Sequence, residues 1–468
     1  MQIGDFSRRS RADACPGALQ VHAAADGGLA RIRVPGGRLT ASRLRELAGA
    51  AAGCGSGVIE LTSRANVQVR GLGDGAQAGF AARMAAAGLL PSLTHERVRN
   101  ILASPLTGCD ARGTLDAGPL VDELDRRLCA RPGLAGLPGR FLFALDDGRG
   151  DVAWLGPDAG ILPTGADEAA LILAGADSGL RVPVGSAVTA LLAAAEAFLA
   201  EPAAEGGRAW RIGELPGGAE RVAARVRAAL AHSAGGVRSP AAERLRGEPS
   251  AAGREPVGVI ELPGGRVALG VAVPLGRLAA AQAELLADLA AGGEVRLTPW
   301  RGVVLSGLDR AEATRSAALL TAAGLVTDPA SPWIGVTACA GRPGCARSLA
   351  DVRADAARSV PPSPERFTSP GGRTAVPGGA SGSGDRGRGE PPGAGGPGAA
   401  PGVAGSPRPG TLPVHWAGCE RRCGRPGGRV AEVVATAGGY HVALDGRGLD
   451  CAGIEETTAA VTALRREM

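Results

Sequence analysis

Leu29-Ala-Arg-Ile-Arg-Val-Pro-Gly-Gly-Arg-Leu39 and Leu269-Gly-Val-Ala-Val-Pro-Leu-Gly-Arg-Leu278 are two versions of one pattern. Each is an apolar run closed by a Pro-x-Gly turn, which reads as a strand running into a tight turn. Apolar residues at helical spacing follow in both places, over Ser42–Ala51 and Ala279–Leu289. Then come Val58-Ile-Glu-Leu-Thr-Ser-Arg-Ala-Asn-Val-Gln-Val-Arg-Gly-Leu72 and Glu294-Val-Arg-Leu-Thr-Pro-Trp-Arg-Gly-Val-Val-Leu-Ser-Gly-Leu308. Both read as strand, turn, strand, and each precedes another helix, near Gly79–Ala87 and Ala311–Ala322. Chance similarity in a low-diversity composition is the rival explanation, but order, turns and spacing all agree. The repeat predicts an α+β fold with internal pseudo-two-fold symmetry.

A longer segment follows each copy. The first carries predicted strands near Arg140–Leu145 and Val152–Leu155 and helices near Val188–Leu199 and Ala219–Ala231. The plan is therefore a small domain plus a large one, twice: 1–90, 91–232, a polar linker at 233–255, 256–325 and 326–468. Within the last unit, Pro361–Pro413 is extreme in Gly, Pro and Ser, and its composition predicts a disordered insertion. Loop-closure entropy grows only logarithmically with length, so such an insertion can separate two halves of one site.

The 468 residues carry a formal net charge of +5 and only 3% aromatics, and every basic residue is arginine. No basic stripe with interleaved aromatics is present, which sets nucleic acid aside. The longest apolar stretch, near Val188–Ala200, is interrupted by Glu196 and too short to span a bilayer. Met1–Ser10 has no apolar core after its charges. Nine cysteines in so long a chain do not read as a disulfide framework, and a reducing cytoplasmic location is the expectation.

Four of those cysteines form a pattern. Cys339-Ala-Gly-Arg-Pro-Gly-Cys345 is a C-x5-C pair, read as the start of a helix, and Cys419-Glu-Arg-Arg-Cys423 is a C-x3-C pair. A [4Fe–4S] cluster needs four convergent thiolates, and Gly341, Gly344, Gly418 and Gly424 let backbone close around one. Zinc is the competing reading, though its pairs are usually C-x2–4-C. Cys15, Cys54, Cys109, Cys129 and Cys451 read as ordinary core thiols.

C-x5-C followed by C-x3-C, on a chain with this repeat, resembles the sulfite/nitrite reductase superfamily over nearly its whole length. The resemblance implies two ferredoxin-like half-domains plus two larger α/β domains around a central pocket, and a cluster held by Cys339, Cys345, Cys419 and Cys423. Cys423 matches the cysteine that bridges cluster and sirohaem in that superfamily. Arg33 matches a pocket arginine on the first strand. Thr62-Ser-Arg64-Ala-Asn66-Val-Gln68 resembles a T-[TS]-R-Q-x-x-Q signature, which implies tetrapyrrole contacts from Arg64, Asn66 and Gln68. Arg99-Asn100-Ile101 resembles R-N-[IV], whose arginine also faces the pocket. Guanidinium forks suit tetrapyrrole carboxylates.

Two departures stand out. The reductases carry P-R-K-F-K, whereas this chain has Pro138-Gly-Arg140-Phe-Leu142; Arg140 can replace the first lysine, but Leu142 removes the second cation of the anion site. Cys-Glu-Arg-Arg-Cys also lacks the usual Pro or Ala. The precorrin-3B synthase family fits better, with Cys15-Pro-Gly17 resembling its C-P-G start and Cys339–Cys345 its C-x-G-x-P-G-C pair. That resemblance implies a monooxygenase of aerobic cobalamin biosynthesis. Its substrates are precorrin-3A and dioxygen, and it hydroxylates at C20 with γ-lactone closure. It also implies a non-haem iron and a separate NAD(P)H-linked electron donor, since no G-x-G-x-x-G follows a strand. No 2-His-1-carboxylate set can be assigned among His22, His95, His232, His415 and His441; His415 is the best placed. The alternatives are a sirohaem-dependent sulfite or nitrite reductase and a non-catalytic tetrapyrrole or electron carrier.

Overall fold

The computed structural model describes residues 15–201, 209–231, 245, 247, 255–290, 293–361 and 412–466. Most of the expected linker at 233–255 and insertion at 361–413 lies outside these residues, as do Met1–Ser10 and His232.

The first copy of the repeat forms β1 (His22–Ala24), β2 (Gly27–Ile32), β3 (Arg38–Thr40), α1 (Ala41–Cys54), β4 (Val58–Leu61), β5 (Val67–Leu72) and α2 (Ala76–Ala86). The larger domain after it forms β6 (Ile101–Ala103), α3 (Gly118–Cys129), β7 (Phe143–Leu145), β8 (Ala159–Pro163), β9 (Glu168–Leu173), β10 (Ala176–Pro183), α4 (Ala187–Leu199) and α5 (Gly218–Leu230). The second copy forms β11 (Gly258–Glu261), β12 (Val267–Ala272), β13 (Arg277–Ala279), α6 (Ala280–Leu289), β14 (Glu294–Leu297), β15 (Gly302–Leu308) and α7 (Arg310–Ala322). The last domain forms β16 (Val336–Ala338), α8 (Val352–Ser359), β17 (Val414–Ala417), β18 (Ala431–Thr436), β19 (Gly439–Leu444), β20 (Arg447–Cys451) and α9 (Ile454–Arg466).

The two copies interlock. The sheets run β1-β2-β5-β4-β13 and β11-β12-β15-β14-β3, so each takes its last strand from the other copy. Leu39 lies opposite Val295, and Leu278 opposite Ile59. The Pro-x-Gly turns make this crossing possible. Gly36 and Gly37 have φ of 63° and 71°, and Leu275 and Gly276 have 53° and 67°. A Cβ on Gly37 would stand 2.3 Å from the Leu297 carbonyl, so only glycine allows β3 to reach β14. Exchange covers edges that would otherwise stay open, and one core joins Leu44 and Leu47 of α1 to Leu286 of α6. α1 starts where Thr40 Oγ1 accepts from Arg43 N at 3.2 Å.

The two larger domains share a topology as well. β6, β7 and β8 are parallel, with β9 and β10 antiparallel beyond them. β16, β17 and β18 are parallel, with β19 and β20 antiparallel. A helix links the first two strands in each, α3 in one and α8 in the other.

Three local expectations change. Val152–Leu155 is a turn, because the Asp146 carboxylate accepts from the N–H groups of Gly148, Gly150, Val152 and Ala153 and coils the chain there. The strand expected at Arg140–Leu145 begins only at Phe143, since Phe141 N turns back to Pro138 O and Leu142 N donates to Asp158. Cys339–Cys345 is a run of turns, and the next helix, α8, starts at Val352 behind an Asp351 cap.

Candidate functional site

The cysteine pairs follow neighbouring parallel strands. Cys339 comes directly after β16, and Cys419 is the second residue after β17. Cys339 N donates to Trp416 O at 2.9 Å, and Gly418 N donates to Cys339 Sγ at 3.2 Å. A Cβ on Gly418 would stand 1.8 Å from Ser348 Oγ, so the loops close this tightly only around glycine. The Cys423 thiol is pushed up by burial, and then by the nearby Cys339, Cys419 and Cys345 sulfurs. All four thiols are free and face a common region. Among the described residues, only Asp146, Asp147 and Asp151 gather ligand atoms within 4.8 Å of one another. No three of the four sulfurs are therefore that close to one another; a [4Fe–4S] cluster takes four thiolates, one at each iron.

Arginines hold these loops to the half-domains. Arg70 pairs bidentately with Asp26 and donates to Gly344 O. Arg353 donates to Cys339 O at 3.1 Å and pairs with Glu60 at 2.6 Å. Arg301 Nη2 donates to Gly424 O at 3.0 Å, one residue past Cys423.

Beside the cysteines lies a cavity of about 470 Å³ between the four domains. Its charged wall is Arg64, Arg211, Arg301, Arg425 and Glu255, and its apolar wall includes Leu142, Trp154, Trp300 and Trp333. Burial, and then the Arg211 charge, draws Arg64 down to about 10. Arg211 is paired with buried Asp158 at 2.6 Å. Asp158 also accepts from Leu142 N and Ile212 N, both bonds drawing it down, yet burial holds it above the ordinary carboxylate range.

Of the residues singled out from sequence, Arg64 and Leu142 are in the cavity wall. Asn66 is not a cavity group: its Oδ1 accepts from Val34 N at 2.8 Å and its Nδ2 donates to Asn100 at 3.1 Å. Gln68 is tied to Arg31 and Glu60. Arg99 forks onto Asp125 of α3 at 2.6 and 2.7 Å and donates to Leu89 O, so it fastens α3 instead of facing the cavity. Arg33 is 2% exposed and donates to Arg97 O and Gly139 O. Its Nη1 has no hydrogen-bond partner among the described residues, and burial followed by the Arg31 charge lowers it to about 9. Arg140 lies 4.8 Å over the Trp210 ring.

Sequence reading missed Arg211, Arg301, Arg425 and Glu255. Arg301 takes the place of Ala65 in the second copy, one position past the counterpart of Arg64: Ala65 N bonds Thr62 O, and Arg301 N bonds Thr298 O, both at 3.1 Å. Ala65 and Arg301 also share left-handed φ, 51° and 65°. Arg425 sits two residues after Cys423, and for Arg211 and Glu255 no sequence signal stood out.

A histidine–carboxylate set for a mononuclear iron is not gathered among the described residues. His95 is bonded to Arg131 O, His441 to Asp450 and His415 to Thr337. Asp146, Asp147 and Asp151 are occupied by backbone N–H groups, Ser104 and Arg149.

Comparison with known proteins agrees with this architecture. The family described as the nitrite/sulfite reductase ferredoxin-like half domain matches residues 22–87 and again 260–323. The chain carries two such half domains. A precorrin-3B synthase from Sinorhizobium sp is 25% identical over 442 residues, spanning 93% of this chain and 83% of that protein. A ferredoxin–nitrite reductase from Synechococcus elongatus is 34% identical over 127 residues, but this match spans only 26% of the chain and 25% of that enzyme. The solved structure of the Mycobacterium tuberculosis NirA protein superposes with a TM-score of 0.69 at 22% identity, covering 94% of this chain and 80% of that one. The half domains thus sit in a larger fold that is shared with NirA over nearly the whole chain. No helix of the described residues is long and apolar enough to cross a membrane.

Proposed function

We propose that the chain is a precorrin-3B synthase: an oxygen-dependent monooxygenase that hydroxylates precorrin-3A at C20 and closes the γ-lactone in cobalamin biosynthesis. The observation that carries this reading is the cavity wall, four arginines with Leu142 where the reductases it resembles place a lysine. Arginine forks bind carboxylates bidentately, and a tetrapyrrole with acetate and propionate arms offers several. Trp154, Trp300 and Trp333 supply flat apolar surface for a macrocycle. Sulfite or nitrite would instead call for more cations concentrated at one small spot. The relative similar over most of its length bears the same name, which adds support.

Cys339, Cys345, Cys419 and Cys423 would hold a [4Fe–4S] cluster, which when bound supplies one-electron transfer. Arg301 spans from the cavity wall to Gly424, so the cysteine loop and the ligand wall share one side chain. Electrons would come from a separate NAD(P)H-linked donor.

The test is anaerobic purification, absorption and EPR spectra, pigment extraction, and then turnover of precorrin-3A with oxygen and reductant followed by mass. Cluster signals without sirohaem, together with hydroxylated lactone product, are expected. Extracted sirohaem with sulfite or nitrite reduction would replace this reading by the reductase one.

A further inference from the structure

Glu255 is the one carboxylic acid among the described residues lining the cavity, whose wall also holds Arg64, Arg211, Arg301 and Arg425. Arg211 is committed to Asp158, and Arg301 gives a nitrogen to Gly424 O. Glu255 makes no hydrogen bond or ion pair with any described residue, and Arg301 acts on it through its charge alone.

The second copy of the repeat packs against this side chain where the first copy has an amide. Thr62 N bonds Asn66 O and Thr298 N bonds Gly302 O, both at 2.9 Å, so Gly302 is the counterpart of Asn66. In the first copy the Asn66 amide fills the turn and bonds Val34 and Asn100. In the second, glycine stands there and the surroundings close in: a Cβ at Gly302 would meet Val271 O at 2.8 Å and both Glu255 Oε1 and Thr298 Oγ1 at 3.3 Å, so the Glu255 carboxyl packs against this turn.

We propose that Glu255 contacts the substrate as a neutral acid, donating its O–H to a carboxylate of the bound tetrapyrrole. This rests on the tetrapyrrole reading above. Arginines only donate, and an ionised Glu255 would both cancel their charge and repel the ligand. As a neutral acid it adds a further donor to the same wall. Burial is the larger influence on it and the Arg301 charge the smaller opposing one; together they leave its carboxyl at about 8. Contact with a carboxylate ligand therefore weakens as pH rises past that value.

Uroporphyrin, an octacarboxylate tetrapyrrole, is titrated into wild type and Glu255→Gln by fluorescence quenching, from about pH 6 to about pH 9.5. Wild-type affinity is expected to fall about tenfold across that range, while the Gln variant, which keeps a donor but cannot ionise, changes by about twofold or less. Arg64 and the ligand's own carboxylates are common to both proteins and cancel in the comparison. Parallel curves overturn the proposal. So does a flat wild-type curve on its own, which needs no variant to fold. If neither protein binds uroporphyrin at any pH, the tetrapyrrole reading falls and takes this one with it.

Discussion

The backbone N–H of Gly418 donates to Cys339 Sγ at 3.2 Å. The counterpart in the other large domain is Asp147 N donating to Ser104 Oγ at 3.1 Å. Cys339 N bonds the carbonyl of Trp416 on β17, and Ser104 N bonds that of Leu145 on β7, so the two loop pairs occupy equivalent places. One pair carries four cysteines; the other carries Asp146, Asp147 and Asp151 around Arg149. Two copies of one architecture thus hold a soft-ligand set at one end and a self-satisfied acidic turn at the other.

The cysteine set gives the first prediction. Cys339→Ser, Cys345→Ser, Cys419→Ser and Cys423→Ser should each reduce iron and acid-labile sulfide to a small fraction of wild type. Cys451→Ser, in the core beside β19, and Cys129→Ser, at the end of α3, should leave both near wild type. Iron and sulfide assays on anaerobically purified protein decide it, and a full complement in any of the four first variants would sink the assignment.

Arg64 and Arg99 came from neighbouring sequence signatures, but the structure separates their roles. Arg64→Ala removes a cavity guanidinium and should weaken uroporphyrin binding about tenfold or more, the value of a charge-assisted hydrogen bond, with a small change in melting. Arg99→Ala leaves Asp125 without its forked partner and should cost about 3 kcal/mol of stability, with affinity of the folded protein near wild type. Urea midpoints and binding curves measured together would refute this division if the two effects were exchanged.

That separation shows where the sequence was informative. The repeat, with its V-P-x-G-R-L turns, made the half domains legible, because turn glycines and strand periodicity are local. The strand exchange was not legible, since nothing local says which sheet β3 and β13 will join. The cysteine spacing was legible for the same local reason. The cavity was less so: in a chain where every basic residue is arginine, the residue type does not tell a ligand-facing guanidinium from one fastened to a carboxylate. Asn66, Gln68 and Arg99 carry the right motifs, yet they spend their polar atoms inside the protein. Glu255 lies at the edge of a segment with no motif and joins the cavity wall only in the folded chain.

Gln68 belongs to a different device. Arg31 donates to Gln68 at 2.9 Å, Gln68 to Glu60 at 2.7 Å, Arg353 pairs with Glu60 at 2.6 Å and donates to Cys339 O at 3.1 Å. Glu60 is thus the hinge between β4 and the cysteine loop. Glu60→Ala should strand Arg353, lower stability by about 3 kcal/mol and speed iron loss to a chelator. Glu60→Gln keeps a hydrogen-bond acceptor and should fall in between. Equal chelation rates in all three proteins would show that the chain does not hold the loop.

Asp151 supplies a pH test of the acidic turn. It accepts from Ser104 Oγ at 2.6 Å, and Arg149 stands 3.9 Å away. Burial and then the Asp146 charge raise it from 3.8 to about 7. In the unfolded chain its proton leaves near the ordinary value, whereas the folded chain keeps it until about pH 7. Between those values the folded state binds more protons, so this group's contribution makes unfolding easier as pH rises, and the effect levels off above the folded value. Asp151→Asn keeps an acceptor for Ser104 and removes the titration. Its stability relative to wild type should therefore be smallest near about pH 4 and rise to a plateau by about pH 8. Glu255 and Asp158 titrate in both proteins, so the difference between the two urea midpoints isolates Asp151. A difference that stays constant across that range would mean that the carboxyl is ionised throughout and that Arg149 outweighs burial.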